Sequence, residues 1–145
     1  MHDSQNQATN VVSDYYDNYA DTQKEVLAIK VLKTRNILFT LAAIFFASDL
    51  LALLIANAVT GYTILMALVL PVILIGLAFL SLKEPISAMI IATVLIAALW
   101  VYIIYLSGVR GAVMGWLIKA VIIYFIIAGF QQAAEAHRIK KELKV

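Results

Sequence analysis

Four long apolar stretches separated by short polar breaks dominate the chain after residue 35. Each is a continuous run, not an alternation of apolar and polar positions, so each reads as a helix and none as a barrel strand. They cover residues 36–57, 62–82, 86–106 and 112–130. About 20 apolar residues cross a hydrocarbon core about 30 Å thick, and every stretch is of that order. The breaks, around "AVTG", "KEPIS" and "SGVRGA", leave room only for tight hairpins. The predicted fold is therefore all-α: an antiparallel up-down four-helix transmembrane bundle over residues 36–130, with helical extensions on the cytoplasmic side.

The flanks follow other patterns. Residues 1–21 are rich in Gln, Asn, Ser and Asp and contain no apolar run. Such a segment cannot bury enough apolar surface to offset its ordering entropy, so a disordered polar tail is expected. Its tyrosines, Tyr15, Tyr16 and Tyr19, are the only groups there suited to a partner or a lipid interface. "TQKE" (Thr22–Glu25) has capping-box spacing and predicts the start of a basic juxtamembrane helix over 22–35. After the fourth stretch, residues 131–145 contain neither Gly nor Pro and are rich in good helix formers. A cytoplasmic helical tail is expected, with Glu135–Arg138 and Arg138–Glu142 at supporting spacings. Its thin apolar stripe, Ala136, Ile139 and Leu143, suits packing on the basic helix or on a partner.

Composition sharpens this picture. The chain has 145 residues, 63% hydrophobic and only 14% charged. Soluble domains average about 45–50% apolar and about 25% charged, which places this chain among membrane proteins. A net charge of +2 gives no ground for a nucleic-acid partner. With no cysteine, there is no thiolate metal site or thiol nucleophile. The N-terminus lacks the basic start and apolar core of a signal peptide. Lys24, Lys30, Lys33 and Arg35 flank the first span, and Arg138, Lys140, Lys141 and Lys144 follow the fourth. The second connector has Lys83, the third only Arg110, and the first no basic residue. This bias predicts both termini in the cytoplasm. Lys24, Lys30, Lys33, Arg35, Arg138, Lys140 and Lys141 are the expected contacts to lipid headgroups or a partner. Tyr62, Tyr102, Tyr105 and Trp116 fall near the opposite interface, where aromatic anchors belong.

Two charges interrupt the spans. Asp49, in "FFASDLLALL", lies about 4 Å beyond the middle of the first span, and Lys119 lies at about the same depth in the fourth. An unpaired charge near mid-bilayer costs about 2.5–3.5 kcal/mol on insertion scales. The expectation is an Asp49–Lys119 pair joining the first and last helices. Three roles remain open for it: a structural clamp, an ion- or proton-linked site, or contact with a partner subunit. "GAVMG" places Gly111 and Gly115 in a GxxxG spacing at the start of the fourth span, suited to close packing in the bundle or to a dimer face. Pro71 predicts a kink in the second span, and Pro85 marks the start of the third.

The passages "RNILFTLAAIFFASDLLALL" and "IIYFIIAGFQQAAEAHRIKKEL" resemble small four-span membrane proteins of unassigned function found in bacteria. The resemblance covers most of the chain past residue 23 and implies a bundle in the cytoplasmic (inner) membrane. It implies no activity. The span number and length are also similar to the small multidrug transporters, which carry an acidic residue in span one. Asp49 matches that residue only late in the span, Lys119 accompanies it, and the polar N-terminal tail is extra.

His2 and His137 lie far apart, and no metal-ligand spacing, phosphate loop or Ser–His–Asp set can be assembled. No cofactor or metal is expected, and no enzymatic activity. The leading expectation is a non-enzymatic accessory, scaffold or small subunit of a membrane complex. Its partners would be the bilayer and either a second copy or another membrane subunit. The alternatives are an oligomeric small-solute or proton-coupled transporter using Asp49, and a membrane-perturbing effector.

Overall fold

The structure, a computed structural model, describes residues 3–57, 59–113 and 115–143, with side chains at 19, 21–57, 59–106 and 115–143. The chain forms four helices: α1 (Asp3–Ile55), α2 (Gly61–Leu80), α3 (Pro85–Val113) and α4 (Trp116–Glu142). All four are long and apolar enough to cross a membrane, α1 over 21–55 and α3 over 85–106. No strand occurs among the described residues. The chain is thus an all-helical protein with the make-up of a multi-pass membrane protein.

The helix boundaries differ from the predicted ones at three places. α1 is continuous from Asp3, where a tail to Asp21 and a separate helix from Thr22 are expected. No Gly or Pro precedes Gly61, so nothing interrupts propagation once the helix has formed. Thr22 and Glu25 sit inside α1 and mark no helix start. Met1 and His2, and the side chains of Tyr15, Tyr16 and Arg110, lie outside the described residues, as does Lys144. α3 runs past Leu106 to Val113 through Gly108 and Gly111, each of which costs only about 1 kcal/mol in a helix. The turn into α4 is made instead at Gly115, whose φ of 72° is a left-handed conformation that glycine adopts without strain.

The other turns have identifiable chemistry. Thr60 caps α2 reciprocally: its hydroxyl accepts from the Thr63 N–H at 3.2 Å, and its own N–H donates to Thr63 Oγ1 at 2.9 Å. Asn57, at φ 48°, takes the left-handed turn after α1. Pro85 opens α3 as predicted, where a missing N–H costs nothing. Hydroxyls within the spans bond to carbonyls one turn back, as Thr40 does to Asn36 at 2.9 Å and Thr93 to Met89 at 2.8 Å. In hydrocarbon that satisfies groups with no water to turn to.

α1 packs along α2 and α4, and α4 also packs on α3; α2 and α3 touch less, and α1 barely meets α3. The core is confined to one end. Every buried residue among those described falls within 34–45, 71–96 or 122–136. Leu38 and Leu41 of α1, Leu74 of α2, Met89 and Ile96 of α3 and Ile122 of α4 are fully or almost fully enclosed. We call this the near half. In the far half, residues 46–55, 61–70, 97–106 and 115–121 include no buried side chain among those described. The four aromatic residues expected at that interface, Tyr62, Tyr102, Tyr105 and Trp116, are all exposed.

Candidate functional site: the Asp49 cleft

Asp49 lies where α1 leaves the near half. It lines a wide-mouthed cleft of about 500 Å³ with Ala52 and Leu53 of α1, Ala56 just past its end, and Tyr62, Met66 and Ala67 on α2. None of the residues lining this cleft is basic. The ion pairs seen among the described residues are Lys24–Asp21 and Lys30–Glu135, and the expected Asp49–Lys119 pair is not one of them. Lys119, partly buried on the first turns of α4, has other interactions.

Helix geometry explains the mismatch. Lys30 and Ile37 mark the side of α1 that faces α4, through the ion pair to Glu135 and contact with Gly129. At 100° per residue, Asp49 lies about 120° around the axis from Ile37. It is about 80° from Phe39, which meets Phe79 of α2 edge-on with ring centroids 5.9 Å apart. The carboxylate therefore turns toward α2. Matching depth along the axis says nothing about rotation.

Gly111 and Gly115 do not lie on one helix. Gly111 belongs to α3, Gly115 caps α4 at the turn, and a Cβ added at Gly115 would meet nothing within 4 Å. The close approach occurs at Gly129. A Cβ there would collide with Met89 Cε and would lie 2.9 Å from Met89 Sδ and 3.2 Å from Ile37 Cγ2. Gly129, Ala133 and Ala136 are all buried on one stripe of α4, and at Gly129 side chains of α1 and α3 fill the space beside it. That stripe was visible in the sequence as small residues at helical spacing, though not as a literal GxxxG.

Pro71 is buried in the middle of α2, which continues unbroken through it. The basic residues take varied roles. Lys24 pairs with Asp21 along its own helix at 2.9 Å, and Lys33 is exposed. Lys30, with only 22% of its side chain exposed, ties α1 to Glu135. Glu135 thus reaches across to α1 and not along α4 to the expected Arg138, which is exposed. Arg35 sits over the Phe39 ring at 6.0 Å, a cation–π distance, with its Nε buried and without a hydrogen-bond partner among the described residues. Lys140 donates to the main-chain oxygen of Lys83 at 3.2 Å, and Lys141 is exposed. No group of three potential metal ligands comes together among the described residues.

Comparison with protein-family models, with curated proteins and with solved structures gives no match. Roles for these residues therefore rest on their geometry alone.

Proposed function

We propose that this protein is a non-enzymatic subunit or scaffold of a membrane complex, and that the Asp49 cleft receives a cationic group carried by a partner helix. The observation that carries the reading is the placement of Asp49: half-buried, in an apolar cleft between α1 and α2 whose lining holds no basic residue. A carboxylate at this depth costs about 2.5–3.5 kcal/mol, and a cation from a neighbour would offset it. The membrane is the cytoplasmic membrane of a bacterium, with an up-down antiparallel bundle and both termini inside. Two contacts support the antiparallel pairing of α1 and α4: Lys30 meets Glu135, while Ile37, later in α1, meets Gly129, earlier in α4. The basic flanks support the orientation.

The cleft's open mouth favours one second reading, a transporter that uses Asp49 as its coupling site. Asp49→Asn separates the two. On a native gel of mild-detergent extracts, the subunit reading expects normal amounts of the variant in membranes but a smaller complex. The transporter reading expects an unchanged complex and lost proton-linked flux in vesicles. Unchanged complex and unchanged flux together would sink both.

A further inference from the structure

At the opposite end of the molecule, the turn between α2 and α3 and the extension of α4 enclose a second cavity of about 550 Å³. Lys83, Glu84 and Ser87 line one side and His137, Lys140 and Lys141 the other. The two walls are fastened together, because Lys140 Nζ donates to the Lys83 carbonyl at 3.2 Å. The single carboxylate is engaged locally: Ser87 Oγ donates to Glu84 Oε2 at 2.8 Å. Three lysines against one carboxylate leave the cavity with a charge of +2, counting His137 as neutral. The N–H groups of Ile86 and Ser87, at the start of α3, have no helical carbonyl one turn back and add positive potential at the same place.

The location narrows the ligand. The turn joins two helices that are each long enough to span a bilayer, so the cavity lies at the membrane surface. Phosphates of lipid headgroups are concentrated at that level, and basic pockets between spans at a membrane surface suit them. Leu82, next to Lys83, and Phe79, one turn earlier, are exposed apolar side chains. They supply a surface for acyl chains that a free phosphate would not use.

We propose that this cavity binds the headgroup of an anionic phospholipid, with Lys83, Lys140 and Lys141 around the phosphate and the acyl chains along Phe79 and Leu82. The site requires only that α2 and α3 cross a bilayer; neither the orientation nor the role of Asp49 enters.

Native mass spectrometry of the full chain, with phosphatidylglycerol or phosphatidylcholine added to detergent micelles, tests it. Phosphatidylglycerol should be retained preferentially. At about 1 kcal/mol per surface lysine, Lys141→Gln should weaken retention about fivefold and Lys140→Gln with Lys141→Gln about thirtyfold. Lys24→Gln with Lys33→Gln removes the same charge outside the cavity and should change retention less than about twofold. Lys141→Gln leaves the Lys140 tie in place, so it carries the test alone if the double variant does not accumulate. Equal weakening by the control pair would mean diffuse surface attraction and overturn the proposal. Retention of phosphatidylcholine to the same extent would overturn it too, as would thermal stabilisation by inorganic phosphate alone equal to that by phosphatidylglycerol.

Discussion

Leu38 and Leu51 stand on the same helix, yet Leu38 is fully enclosed and Leu51 is 56% exposed. The contrast extends to the whole bundle: the near half has a continuous core, and the far half has none among the described residues. Hydrophobicity does not separate them, since both halves are strongly apolar. In lipid, burying a leucine brings little solvation gain, because hydrocarbon tails are as apolar as the side chain. What holds helices together there is shape. In the near half, small residues occur on all four helices where they meet: Ala42, Ala78, Ala88, Ala92, Gly129 and Ala133. In the far half, Ala52, Ala56 and Ala67 face a cleft instead of a neighbour. The near half holds the packed core, and the far half presents exposed apolar surface.

Truncation should expose the contrast most strongly. Leu38→Ala should cost about 2–5 kcal/mol, the range for a leucine removed from a packed core, read by denaturant titration in micelles. Leu51→Ala should change the same measurement by less than about 0.5 kcal/mol, as expected for an exposed side chain. Similar losses at both sites would mean that the far half is packed as well.

Two glycines, one buried and one at a turn, sharpen the point. Gly129→Leu should cost about 1–3 kcal/mol or more through overpacking against Met89 and Ile37, while Gly129→Ala should cost less because the methionine tip can move. Gly115 faces open space, so its substitution is a matter of backbone alone. Gly115→Ala should cost about 1–2 kcal/mol for the left-handed conformation, and Gly115→Asn should recover part of that. A large size dependence at residue 115 would show that this turn is packed after all.

The smallest effect belongs to the ion pair at the base. Lys30→Ala, Glu135→Ala and the double variant form a cycle whose coupling should fall between about 0 and 1 kcal/mol, since Glu135 is 54% exposed. Its decline with added salt would confirm a solvent-screened contact.

How much of this was legible beforehand follows from what each signal encodes. The four spans were readable because an apolar run of about 20 residues has few alternatives. The start of α3 was readable from Pro85, because proline belongs at a first helical turn. The turn between α3 and α4 was not, since Gly108, Gly111 and Gly115 are equally permissive in sequence and only Gly115 takes the left-handed conformation. The N-terminal helix was missed because polar composition argues against independent folding, whereas this segment continues a helix already anchored in the bundle. For Asp49, the sequence offers a height along the helix but no azimuth. A residue count fixes height, while rotation depends on which face of α1 the other helices occupy. Gly129 was overlooked because a literal GxxxG at Gly111–Gly115 drew attention to residues on opposite sides of a turn.

The central claim is that Asp49 faces α2 and not Lys119. The chain contains no cysteine, so pairs can be introduced without background. Asp49→Cys combined with Ala67→Cys, and Asp49→Cys combined with Lys119→Cys, can be treated in membranes with a short bis-thiol crosslinker and digested between the helices. Crosslinking of the first pair with little of the second is the expected result. Efficient crosslinking of the second pair within one chain, with none of the first, would contradict it.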